Sequence, residues 1–183
     1  MPDENPLPHL WLLSDERNDA DVERALQRLP AGSGFVYRHY HLPPVERHFR
    51  FRELASIARP SGHWTILADS ALTAREWGAD GIYGAPRALY PRRTGLFQVA
   101  TVHDMREIGQ ANRIGVDAVM LSPVFPTRSH EGATTLGPSR FRALAAQSRA
   151  PVIALGGMTH STAHRLGWPR WAAIDGLSAR QTI

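Results

Sequence analysis

Polar or glycine residues stand directly after short apolar runs at Asp15, Arg38–His41, Asp69, Gly84–Arg87, His103, Pro123–Gly137, Gly156-Gly157 and Ser178. Their types suit proton transfer and anion binding. His103 carries an imidazole, which titrates near neutral pH and can take up and return a proton. Gly156-Gly157 lacks Cβ atoms, so a phosphate can come close to its backbone N–H groups. Arg38, Arg87, Arg92, Arg93 and Arg128 offer guanidinium groups, which grip phosphate through paired hydrogen bonds.

Composition removes several other chemistries. The 183 residues include no cysteine, and all 21 basic residues are arginine. Disulfides, thiolate nucleophiles and Cys-ligated zinc are therefore excluded. So are Schiff bases, pyridoxal phosphate anchoring and the P-loop lysine, all of which need an amine. The sequence pI of about 10.3 reflects arginines that stay protonated at high pH. With a net charge of +4 and no long basic run, it does not indicate a nucleic-acid partner. No stretch approaches the roughly 20 apolar residues of a membrane helix. The acidic, proline-rich start is unlike a signal peptide, so a cytoplasmic protein is expected.

Other histidines carry less. His39 and His41 alternate onto one side of a strand, near His48, but that side is opposite Arg38 and faces the helical layer of a barrel. No carboxylate is obvious there for a metal. His160 and His164 lie four apart on a helix and read as solvated. Asp15 is either a first-turn acid of a helix or a rim residue.

The elements that position these groups follow from hydrophobic periodicity. Strands are expected at Leu10–Ser14, Gly34–Tyr40, Trp64–Ala68, Gly81–Gly84, Leu96–Val102, Val116–Leu121, Pro151–Leu155 and Ala172–Leu177. Helical spacing marks Asp21–Leu29, Phe49–Ala58, Ala71–Trp77, Asp104–Ile114, Phe141–Gln147 and Ala163–Leu166. Alternation of strand and helix implies a parallel sheet, and eight strands in one domain over residues 1–183 imply a small (β/α)8 TIM barrel. Two prolines stunt the fourth helix, and little chain remains for the eighth. An open doubly wound sheet is the alternative. In a barrel, chemistry sits on the loops after the strands, where the polar residues gather.

Four segments resemble the thiamine phosphate synthase/TenI family. Val116–Thr127 (VDAVMLSPVFPT) is similar to its sixth strand and Pro-Val-Phe-Pro-Thr loop. Pro151–Met158 (PVIALGGM) is similar to its Ala-Ile-Gly-Gly-Ile strand end. Trp77–Gly84 and Leu10–Asp15 resemble its Gly-Ala-Asp-Gly-Val-His and Tyr-Leu-Val-Thr-Asp segments.

The resemblance implies a homodimeric small barrel acting on a thiazole phosphate in thiamine biosynthesis. Synthases of the family couple that compound to hydroxymethylpyrimidine pyrophosphate, while TenI-type members aromatise it by tautomerisation. By the family pattern, Gly156, Gly157 and Ser178 hold the phosphate, Thr127 contacts the ligand and His103 is the proton shuttle. The pyrophosphate half departs from the pattern. Of Gln-x-Arg-x-Lys on strand two only Arg38 remains, and of Asn-Asp after strand three only Asp69. No acid follows strand four, and the lysine of loop six is absent. A TenI-type tautomerase needing no cofactor is therefore the expectation. The alternatives are a divergent synthase, with Asp69 on Mg²⁺ and arginines in place of the lost groups, and a non-catalytic binder of thiazole or thiamine phosphate. A barrel turned to another phosphorylated metabolite is a further one. With so little chain after strand eight, the Pro6–His9 segment or a second subunit should cover the exposed apolar surface.

Overall fold

A computed structural model describes residues 7–127, 132 and 134–177. Eight parallel strands close into one barrel in chain order: β1 (Leu10–Leu13), β2 (Gly34–Tyr37), β3 (Trp64–Leu67), β4 (Gly81–Gly84), β5 (Phe97–Val102), β6 (Ala118–Leu121), β7 (Val152–Ala154) and β8 (Trp171–Ala173). Closure is made by β1 against β8, with Leu10 opposite Trp171 and Leu12 opposite Ala173. This is the expected (β/α)8 barrel, not the open sheet.

The two periods seen in the sequence become two packed layers. Alternate strand residues point inward, so Trp11, Leu13, Val36, Ile66, Tyr83, Val99, Met120 and Ile153 fill the barrel interior. The intervening residues, such as Leu12, Phe35, Leu67, Ile82, Val102 and Val119, face the helices. Large side chains inside are offset by small ones: a Cβ on Gly34 would come within 2.1 Å of the Trp11 ring. Leu7 joins the interior cluster, and the Trp11 indole N–H donates to the Pro8 carbonyl at 2.8 Å. The segment before β1 thus plugs the barrel floor, and it also reaches the start of β8, where His9 accepts the Trp171 backbone N–H at 2.9 Å on its carbonyl and lies 3.1 Å from the Pro169 carbonyl through Nδ1.

The helices are α1 (Asp19–Arg28), α2 (Pro44–Ala58), α3 (Ala71–Trp77), α4 (Pro86–Leu89), α5 (Met105–Ile114), α6 (Gly137–Ala145) and α7 (His160–Leu166). Helix α4 is a single turn, as its flanking prolines require. After β8 the described residues hold only a 3-10 turn at Asp175–Leu177. Helix α2 begins five residues earlier than its apolar spacing indicates, because Pro44 suits the first helical turn. Strand β2 ends at Tyr37 rather than Tyr40, since His39 has φ of 38°, a left-handed conformation that breaks the ladder. Among the described residues no helix is long and apolar enough to cross a membrane.

Two buried imidazoles brace the helical layer. His63 accepts the Ser33 backbone N–H on Nδ1 at 3.2 Å and faces the Leu26 carbonyl through Nε2 at 3.2 Å. His39 is wholly buried against Ser14 and Asp19. Burial holds both below the ordinary imidazole range; for His39 it outweighs the hydrogen bond to Asp19. The unfolded chain, with ordinary imidazoles, binds more protons than the folded chain below about pH 6.5, so stability falls as pH drops through that range. Thermal unfolding should show a lower Tm at pH 5.5 than at pH 7.5. An unchanged Tm would mean that neither ring is held neutral.

Candidate active site

A cleft of about 540 Å³ opens at the C-terminal ends of the strands, lined by Arg38, Tyr83, Thr101, His103, Thr127, Gly156 and Gly157 among others. Strand period explains the first four. Val36 points inward, so Arg38 two residues on does too; in β5, Val99, Thr101 and His103 form one inward row. Tyr83 forms the floor, and burial keeps its phenol protonated despite a hydrogen bond from Thr101. Neither Tyr83 nor Thr101 stands out in the sequence, though inward alternation along β4 and β5 would have pointed to both.

His103 sits at the rim with its side chain half exposed. Its Nδ1 lies 2.8 Å from Glu107 Oε2, which also accepts the His103 backbone N–H at 2.7 Å. Asp104 caps α5 by accepting the Glu107 backbone N–H at 2.9 Å.

The glycine pair is where the sequence places it, but the need for glycine has another source. Gly156 and Gly157 have φ of 94° and 62°, and added Cβ atoms would lie 2.6 Å from Pro123 Cα and 2.4 Å from the Pro126 carbonyl oxygen. The loop after β6 therefore packs directly on the end of β7. Hydrogen bonds from Val124 N–H to Leu155 O (2.9 Å) and from Phe125 N–H to Gly156 O (3.1 Å) lock the two together. Among the described residues nothing accepts the N–H of Gly156 or Gly157. Both remain free to meet an anion, at the end of β7 where barrels commonly bind phosphate. Thr127 lines the same cleft. Ser178 lies outside the described residues, as does Arg128.

The arrangement agrees with comparisons to known proteins. The family model described as "Thiamine monophosphate synthase" matches residues 10–177. The chain belongs to this family. It is 32% identical over 182 residues to the thiamine-phosphate synthase of Chlorobium luteolum, covering 94% of this chain and 84% of that protein. It is 31% identical over 161 residues to the putative thiamine-phosphate synthase 2 of Aquifex aeolicus, covering 84% and 87%. Against the synthase of Synechococcus it spans about half the relative's length, 94% of this chain and 53% of that one. In fold it is similar to the thiamine phosphate pyrophosphorylase of Pyrococcus furiosus, with a TM-score of 0.78 and 23% identity over 96% of this chain and 90% of that one. These relatives carry the name of the transferase alternative rather than of the tautomerase.

The family's Mg²⁺ does not fit the residues found at the β2–β3 rim. Asp69 does not line the cleft. Its Oδ2 is paired with Arg47, whose guanidinium also donates to Ala68 O (3.0 Å) and Arg38 O (2.8 Å) and stacks over Tyr37, Tyr40 and Trp77. Its other oxygen accepts the Ser70 backbone N–H at 2.6 Å. Burial raises the Asp69 pKa, but the Ser70 hydrogen bond and the Arg47 charge outweigh it and leave the carboxylate below its usual range. A resident cation thus already neutralises Asp69, and the first turn after β4 offers Arg87, not an acid. Arg47→Ala should destabilise the fold by about 2 kcal/mol, since it strands two carbonyls and a half-buried carboxylate. Urea unfolding reads the loss, and a change within about 0.5 kcal/mol would refute the clamp.

Arg38 and Arg92 are similarly engaged. Arg38 donates through Nε to Ser14 O (2.9 Å) and through NH2 to Asp15 Oδ2 (2.7 Å). Asp15 therefore serves as both cap and rim residue, accepting the Arg17 N–H at 3.2 Å as well. Arg92 pairs at 2.6 Å with Asp117, which precedes β6 at the opposite end of the barrel. Arg87 lies beside Asp104 and Glu107, outside the cleft.

His39 faces the helical layer as expected, stacked on Tyr37 at 4.7 Å. The carboxylate not evident in the sequence is Asp19, which forms a cluster with His39 and His41. Arg50 already donates to the same Asp19 oxygen from Nε (3.0 Å) and NH2 (2.9 Å). A positive charge thus occupies the place of a metal, and the cluster reads as a clamp between α1 and α2.

Proposed function

We propose that the chain binds a thiazole phosphate in the His103 cleft and isomerises it to the aromatic form, as TenI-type members of the family do. The observation that carries this reading is that one cleft holds an imidazole on its rim and, at the end of β7, two backbone N–H groups with no acceptor among the described residues. The phosphate rests on Gly156 and Gly157, with Thr127 on the loop side and Arg38 on the opposite wall. Ser178 completes the phosphate contacts by the family pattern. His103 takes a proton from one carbon of the non-aromatic thiazole and returns it to another, so no metal or lysine is called for.

The second reading is transfer to hydroxymethylpyrimidine pyrophosphate, and the names of the relatives favour it. It needs the leaving pyrophosphate to be neutralised by cations. Arg38 and Arg47 are each already paired with an acid, which weighs against this reading. A non-catalytic binder is the third outcome. One NMR time course separates them, with purified protein, the non-aromatic thiazole phosphate carboxylate, the pyrimidine pyrophosphate and Mg²⁺ together. Aromatic thiazole without coupling supports the isomerase. Thiamine phosphate establishes the transferase, and tight binding with no turnover the binder.

We further propose a cytoplasmic homodimer. Exposed Val45 and Phe49 on α2 and Leu72 on α3 supply apolar surface for a second copy. A monomer at micromolar concentration by light scattering would count against it.

A further inference from the structure

We propose that Glu107 is the positioning residue of this site, fixing His103 with its proton on Nδ1 so that Nε2 is the atom that exchanges protons with the ligand. The catalytic consequence rests on the isomerase reading above; the positioning itself does not.

The argument starts at the N-terminus of α5. Asp104 is the N-cap, and Glu107 stands three residues on, where a capping-box glutamate would turn back to the N–H of the cap residue itself. Glu107 instead reaches one residue further back. Its Oε2 accepts both the backbone N–H of His103 at 2.7 Å and the ring Nδ1–H at 2.8 Å. Two donors from one residue converging on one oxygen fix the ring relative to its own backbone.

The chemistry of the acceptor then sets the tautomer. An ionised carboxylate can only accept hydrogen bonds, so Nδ1 must carry the hydrogen, and the neutral ring must keep its lone pair on Nε2. The pair is partly solvated, with side-chain exposures of 49% for His103 and 31% for Glu107. Its Coulomb attraction is therefore modest, and its value lies in orientation. In the isomerisation, the Nε2 lone pair takes the proton from a ligand carbon while the C–H electrons move into the ring system. The imidazolium then gives that proton to the second carbon. Nδ1–H stays on Glu107 throughout, and no other reactant enters.

The test uses ¹⁵N-labelled full-length protein at pH 8, with the His103 signals assigned from a His103→Gln spectrum. Long-range ¹H–¹⁵N correlations should show the Nδ1–H tautomer in the wild type and in Glu107→Gln, whose amide oxygen can still accept both donors. Glu107→Ala should move His103 towards Nε2–H and lower kcat for isomerisation by about 10- to 100-fold with KM little changed, while Glu107→Gln recovers most of the rate. Wild-type His103 found as Nε2–H would overturn the proposal whether or not the enzyme turns over. So would a Glu107→Ala variant that keeps the Nδ1–H tautomer. Should that variant fail to fold, the wild-type and Glu107→Gln spectra still decide. An Nδ1–H tautomer lost in Glu107→Ala, in a protein without isomerase activity, would uphold the positioning and refute the function instead.

Discussion

Replacing His103 with alanine should slow thiazole isomerisation by about 10²- to 10⁴-fold, the usual contribution of a placed general acid–base. The fold should be unaffected, because the side chain is half exposed at the rim and its Glu107 contact is partly solvated. Binding should also survive, since the phosphate contacts proposed above belong to Gly156 and Gly157 at the end of β7, not to the His103 side chain. The variant therefore separates chemistry from binding. Single-turnover rates alongside calorimetry with the thiazole phosphate would measure both. Unchanged turnover would remove His103 from the mechanism and leave Asp175 and Tyr83, which line the same cleft, as its other titratable acids. Burial favours the neutral form of the Tyr83 phenol despite its hydrogen bond from Thr101, so Tyr83 is poorly suited to act as a base near neutral pH.

The second large effect is expected at Gly157→Ala, on stability and ligand affinity together. An alanine there would keep a φ of 62° and place its Cβ 2.4 Å from the Pro126 carbonyl oxygen. Left-handed backbone on a non-glycine residue costs about 1 kcal/mol or more. The contact adds to that, because backbone cannot move aside as a flexible side chain can. A loss of about 3 kcal/mol is expected in urea unfolding. Relief of the clash must push the Val124–Pro126 segment away from β7. That segment leads into Thr127, so affinity for the thiazole phosphate should fall as well. A variant with full stability would show that the loop after β6 is not seated on β7 as described.

These two residues also mark how much of the site can be read from sequence. His103 is legible because strand residues alternate. Once LFQVATV is recognised as a strand, His103 falls directly after it and shares a face with Val99 and Thr101; that this face is the interior shows only in the closed barrel, since Ala100 and Val102 on the other face are buried as well. The glycine pair is legible as a position, and its family resemblance suggests the phosphate. Its packing partner is not legible, because Pro123 and Pro126 lie more than thirty residues away in the chain and meet it only when β6 pairs with β7.

The order of eight strands, the stunted fourth helix, the family, the inward placement of Arg38 and the position of His103 after strand five are all legible in the sequence. Each of these depends on residues close together in the chain, where hydrophobic period and turn chemistry act. The tertiary structure alone decided how the charges are spent. Asp69 meets Arg47, Arg38 meets Asp15, and His39 with Arg50 meets Asp19. Such pairs form between long side chains whose separation is fixed only when α1 and α2 settle against the closed barrel. An unpaired and a paired aspartate read alike in sequence, yet a neighbouring guanidinium decides whether the carboxylate is left to bind a cation.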